Sequence, residues 1–192
     1  MSSVVISGDT SGAITVSAPL VAGTNTLTLQ AATATNAVNT LGTAVAYTSF
    51  TTTTYNDFTS IPSWVKKITV LFYGISTNNT SNLIIQVGSG SIATSGYSSA
   101  AWTTNVSNAN STTAFLLTGT NAAVYAWSGF ATICLVGSNV WVLNSSLGVQ
   151  SASAMSIGSG NVALGGTLDR VRISSVTPDT FDGGTVNLLL EG

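Results

Sequence analysis

The sequence predicts an all-β protein: an antiparallel β-sandwich, jelly-roll-like, preceded by a short β-rich N-terminal assembly segment. Three observations predict it. Thr and Ser supply 30 and 27 of the 192 residues, while Lys+Arg number four and Asp+Glu six. The residues that fill exposed helix positions are therefore nearly missing, and strand formers such as Thr and Val are abundant. Apolar residues recur with a period of two in short runs, and clusters of Gly, Asn and Ser separate those runs. Hydrophobic residues make up 44% and mean hydropathy is +0.44. Chains that stay disordered combine low hydropathy with high charge, so this one has the means to fold.

Residues 1–43 differ from the rest. They contain no aromatic residue, and Asp9 is their one charged side chain. Val4-Val5-Ile6 and Ala13-Ile14-Thr15-Val16 read as short strands flanking the turn Ser7 to Gly12. Leu27 and Leu29 alternate with Thr26 and Thr28, a half-buried strand pattern. Residues 30–43 lack a clear period and read as a linker or a short helical passage. So few large side chains cannot bury enough area to fold alone, so the segment is expected to pair with other copies or with another protein.

Residues 44–192 form the predicted sandwich domain. Strand signals fall at Phe50 to Phe58, Val65 to Tyr73, Leu83 to Val87, Ala114 to Thr118, Val124 to Val136, Val140 to Leu147, Leu168 to Ser174 and Thr185 to Leu190. That is roughly eight strands with Gly/Asn/Ser turns, the pattern of a sandwich. Ile92 to Asn110 is polar and without regular pattern, and reads as a long loop. Gly158, Gly160, Gly165 and Gly166 read as turn punctuation.

Composition excludes several functions. Four Lys+Arg cannot build a phosphate-tracking surface, so no nucleic-acid partner is expected. No His and one Cys exclude the usual zinc site and His-dependent nucleophilic catalysis. No metal or other cofactor is expected. The longest apolar stretch, ending near Gly137, is shorter than the ~20 residues of a spanning helix, so membrane insertion is not expected. The N-terminus lacks a basic region followed by an apolar run, so no signal peptide is read there.

Four constellations carry chemistry. Tyr97, Trp102, Asn105 and Asn108, with Asn110, place aromatic faces beside amide side chains in the predicted loop. That combination stacks on sugar rings and bonds their hydroxyls, which makes these residues the candidate host-surface site; the alternative is that Trp102 covers the end of the sandwich. Asp179 and Asp182 are the closest carboxylate pair. They fit a turn whose Asp caps backbone amides, a calcium loop, or a catalytic dyad. Arg170 and Arg172 share a strand face, for an ion pair with a neighbouring strand or subunit, or for an anionic glycan. Lys66-Lys67 reads as a solvated strand edge. Trp127 and Trp141 are expected in the core, with Cys134 as a small buried hydrophobe.

The run Ile6 to Pro19, continuing through Ala22 to Leu29, resembles the opening segment of tailed-bacteriophage structural proteins, especially tail-fibre-like ones. Phe58 to Pro62 followed by Val65 to Val70, Gly96-Tyr97-Ser98, Leu168 to Ile173 and Asp179 to Asp182 are similar to a phage appendage domain. The resemblance implies a virion protein, commonly a homotrimer, with the N-terminal segment for attachment or trimerisation and the sandwich outermost. It implies other phage tail or baseplate proteins as partners. The chain leaves almost no length for a shaft, which fits a short fibre, tip or decoration protein better than a long fibre. The resulting expectation is a non-enzymatic, oligomeric receptor-binding appendage of the phage tail that touches a host surface glycan. The alternatives are a capsid decoration protein binding only virion proteins, and a polysaccharide hydrolase using Asp179 and Asp182.

Overall fold

The computed structural model describes residues 52–104, 107–149 and 151–192, together with the strand backbones of Ser3–Ser7, Ala13–Ser17 and Val45–Ser49. The chain divides into two compact units, Met1–Asn36 and Ala37–Gly192. The described part of the first is a two-stranded antiparallel hairpin, β1 (Ser3–Ser7) with β2 (Ala13–Ser17), in which Val4 pairs Val16 and Ile6 pairs Ile14. The expected Leu27–Leu29 strand and the 30–43 linker lie outside the described residues.

The second unit is built entirely of strands and turns among its described residues. Its strands are β3 (Val45–Ser49), β4 (Tyr55–Thr59), β5 (Lys67–Thr77), β6 (Leu83–Ser89), β7 (Ser91–Ile92), β8 (Tyr97–Thr103), β9 (Ser107–Ser111), β10 (Phe115–Leu116), β11 (Trp127–Gly137), β12 (Val140–Val149), β13 (Ala154–Ala163), β14 (Arg170–Ser175) and β15 (Phe181–Glu191). They form two antiparallel sheets. The large one runs β3-β15-β5-β11-β12-β13-β8-β9, and the small one β10-β6-β14-β4, with β7 against β6.

The pairing is nested. Among the successive positions β4, β5, β6, β8, β9, β10, the meander β11–β13, and β14, the first pairs the last (β4 with β14). The second pairs the seventh (β5 with β11), the third the sixth (β6 with β10), and the fourth the fifth (β8 with β9). This is a jelly-roll order, enlarged by the β11–β13 meander and by β15 outside β5.

One apolar cluster joins the inner faces of both sheets. Ile68, Val70, Phe72 and Ile75 of β5 meet Trp127, Ala131 and Ile133 of β11, Ile85 and Val87 of β6, Val171 and Ile173 of β14, and Leu188 and Leu190 of β15. Burying each large apolar side chain contributes about 1.5–3 kcal/mol. Trp127 lies in this core as expected, and its Nε1 donates to Asn121 Oδ1 at 2.8 Å. Trp141 is buried too.

Four expectations are corrected. Ile92 to Asn110 is not a loop: Tyr97–Thr103 and Ser107–Ser111 are paired strands. Gly158 and Gly160 are not turn residues but sit within β13. A Cβ on Gly158 would collide with the Leu116 carbonyl of β10, and one on Gly160 would lie 2.7 Å from Ser98 O, so close backbone approach requires both glycines. Lys66-Lys67 does not mark a sheet edge, because β5 lies between β15 and β11; Lys67 instead bridges Glu191 at 2.8 Å. Cys134 is half-buried, since its register partners Lys67 and Val142 occupy the outer face of the large sheet.

Candidate functional site

β8 alternates strictly: Tyr97, Ser99, Ala101 and Thr103 point inward, and Ser98, Ala100 and Trp102 outward. Tyr97 and Trp102 are five residues apart, so a strand places them on opposite faces. Tyr97 is only 3% exposed and belongs to the core. Its hydroxyl accepts from Val87 N at 2.9 Å and faces Val87 O and Ala93 O, each at 3.2 Å. Its ring meets Phe115 edge-on at 4.9 Å. Burial pushes the hydroxyl pKa up to about 12, against the smaller opposing effect of the Val87 backbone bond. Tyr97 therefore leaves the surface site and becomes part of its foundation. Asn105 lies outside the described residues.

Trp102 is 48% exposed and is paired across β8–β9 with Asn108, which is also exposed. These two predicted residues are brought together. Asn110, grouped with them in the sequence, pairs Ala100, and the register adds neighbours that the sequence reading did not place there: Trp102 pairs Ile157, Ala100 pairs Ser159, and Ser159 pairs Asn144. Together they line a shallow cleft of about 240 Å³ with Trp102 on one side. No hydrogen bond within the described protein engages the side chains of Asn108, Asn110 or Asn144. Three amides and an indole are thus presented outward.

The underside is held firmly. Ser99 Oγ accepts from Leu116 N at 2.9 Å and donates to Ser159 O at 3.2 Å. Thr103 Oγ1 accepts from Gly119 N at 3.0 Å and donates to Ser156 Oγ at 3.1 Å, and Ser156 Oγ donates to Trp102 O at 3.1 Å. These inward hydroxyls tie the chain around β10 to β8 and β13, so the backbone carrying Trp102 is fixed before any ligand arrives.

Both arginines and Asp179 are engaged elsewhere. Arg172 of β14 makes a two-bond pair with Asp57 of β4 at 2.6 and 2.7 Å, the cross-strand pair its position predicts. The guanidinium also lies 4.1 Å from the Tyr55 ring centre. Arg170 pairs its chain neighbour Asp169 at 2.7 Å; that bond holds the Asp169 carboxyl below its usual pKa. Asp179 is buried and accepts the Ser81 amide at 2.8 Å, the amide-capping use expected of a turn aspartate, whereas Asp182 is exposed on β15. Among the described residues no group of three or more His, Cys, Asp or Glu is placed to hold a metal ion. Comparison with protein-family models, with curated proteins and with solved structures returns no match.

Proposed function

We propose that the chain is a bacteriophage virion structural protein: a short tail fibre or receptor-binding appendage that meets the host cell surface as an oligomer and performs no catalysis. One observation carries the reading. The sandwich presents an exposed indole, Trp102, in a shallow cleft it shares with side-chain amides that no protein group engages among the described residues. The phage-appendage resemblance along the chain supports the same assignment, with a homotrimer and other tail or baseplate proteins as partners. The mechanism is multivalent. Several weak sites per oligomer and several oligomers per particle raise avidity without a tight single site.

A capsid decoration protein is the second reading. It is favoured by the apolar residues Leu71, Tyr73, Phe130, Val142, Met155 and Ile157, exposed with Trp102 on the large sheet. Aromatics and Met without charge are the composition of a protein–protein interface core. Gold-labelled antibody against the full chain, applied to intact particles, separates the two. Label at the tail tip, with antibody blocking adsorption, supports the appendage. Label over the shell refutes it in favour of decoration, and unlabelled particles refute both.

A further inference from the structure

The register of the large sheet places two parallel rows on its outer face. One row holds Trp102 on β8, Ile157 on β13, Ser146 on β12, Phe130 on β11 and Leu71 on β5, each paired with the next. Trp102, Ile157 and Phe130 are 48%, 51% and 49% exposed. The second row, one outward position along each strand, holds Asn110, Ala100, Ser159, Asn144, Thr132 and Thr69. It carries amides and hydroxyls. One strip is therefore mainly apolar, interrupted by Ser146 and flanked on β9 by Asn108 opposite Trp102, and the strip beside it is uncharged and polar apart from Ala100.

A ligand that fits both strips has an apolar face, a rim of hydroxyls and no charge. A pyranose has that form: its C–H face stacks on an aromatic ring while its hydroxyls bond amides. Neighbouring strands lie about 4.8 Å apart, close to the length of one pyranose ring. Trp102 and Phe130 are three strand steps apart, from β8 through β13 and β12 to β11. The two aromatic platforms are thus spaced to hold the ends of a short run of linked sugars, with Ile157 and Ser146 beneath its middle. The charged groups nearest in the register, Lys67 and Glu191, lie on β5 and β15 and neutralise each other at 2.8 Å.

We infer that this outer face binds a neutral glycan as a run of several linked pyranose rings laid across the strands, from Trp102 to Phe130. The inference rests on the host-contact reading and names its ligand class. It predicts recognition of internal chain segments rather than a single terminal sugar, because both rows continue past any one ring.

The test uses the full chain and neutral gluco-, galacto- and manno-oligosaccharides of increasing length, with sialylated and uronic-acid oligosaccharides as the anionic arm. Binding is read by calorimetry and by Trp fluorescence. At least one neutral series is expected to bind with affinity rising through roughly three to four rings, the span of the strand spacing, and then levelling. Trp102→Ala is expected to weaken binding tenfold or more, with Trp102→Phe restoring part of it. Phe130→Ala is expected to leave the shortest ligand unchanged and abolish the gain from length. Both residues are exposed, and an unchanged unfolding midpoint verifies that each variant folds.

Binding confined to the anionic arm overturns the inference, as does affinity independent of length. Absence of binding by every neutral series also overturns it. Quenching of Trp102 that grows with protein concentration alone assigns the face to contacts between copies. Tail-tip label without glycan binding removes this inference and leaves the appendage reading. Glycan binding with shell label does the reverse.

Discussion

Replacing Tyr97 by Phe isolates one polar atom inside the core. The ring stays, so its burial and its edge-on contact with Phe115 at 4.9 Å persist. The loss is the hydroxyl that accepts the Val87 amide at 2.9 Å. A buried N–H left without an acceptor costs about 1–3 kcal/mol, and that is the expected loss of stability at neutral pH. The same hydroxyl sets a pH signature. Burial raises its pKa from 10.0 to about 12 in the folded protein. Between those values the unfolded chain releases the proton and the folded chain keeps it, so stability falls as pH rises. The fall approaches about 1.4 kcal/mol for each pH unit inside that window. The Tyr97→Phe variant has no such proton. The wild-type advantage over Tyr97→Phe is therefore expected to shrink by about 1.4 kcal/mol between pH ~8 and pH ~11. Urea unfolding at both pH values, followed by Trp fluorescence at constant ionic strength, measures it. An advantage that does not change with pH would refute the buried, hydrogen-bonded hydroxyl. A neutral-pH loss below about 0.5 kcal/mol would show that Val87 finds another acceptor.

Gly129 has φ +148° beside a β-bulge, and a Cβ there would collide with the Ser146 carbonyl. Gly129→Ala is expected to cost roughly 3 kcal/mol or more, seen as a lower urea midpoint; a loss under about 1 kcal/mol contradicts the geometry. The Arg172–Asp57 side chains are 27% and 29% exposed, so a double-mutant cycle with Arg172→Gln and Asp57→Asn is expected to give a coupling near 1 kcal/mol. A coupling above about 3 kcal/mol would mean a far drier pair than the exposure indicates. Oligosaccharide binding at Trp102 is expected to change less than twofold as salt shortens the screening length from about 30 Å to about 3 Å. A tenfold fall would move the site to charged groups such as Arg170 or Lys66.

The strands that cross the core were legible because the alternation exposes them. In β5, Ile68, Val70 and Phe72 face in, while Thr69, Leu71 and Tyr73 face out, and the inward set is wholly apolar. In β12 the same parity puts Trp141, Leu143 and Leu147 inside. The Arg172 ion pair was legible for a related reason: spacing on a strand fixes the face, and the face selects a cross-strand partner. The depth of the nesting was not legible. Which strand pairs with which depends on contacts far apart in sequence, and alternation within one strand carries no record of them.

The strands that carry the candidate site misled for the opposite reason. β13 buries Ala154, Ser156, Gly158 and Val162 while Met155 and Ile157 face out. β8 buries Tyr97, Ser99, Ala101 and Thr103 and turns Trp102 outward. Small inward residues are required here because β10 approaches closely: Leu116 O crowds Gly158, and Leu116 N is bonded by Ser99 Oγ. With Tyr97 and Val162 the only bulky residues facing in on these two strands, the hydropathy contrast that marks a strand weakens, and the pair reads as loop and turns. The large outward residues have no such structural cause. Burial drives a large apolar side chain inward by about 1.5–3 kcal/mol, so Trp102, Met155 and Ile157 forgo that stabilisation in the isolated chain. Small residues inside and large ones outside on this strand pair support the proposed reading of the face as a contact surface, and the pair lies where the sequence pattern was weakest.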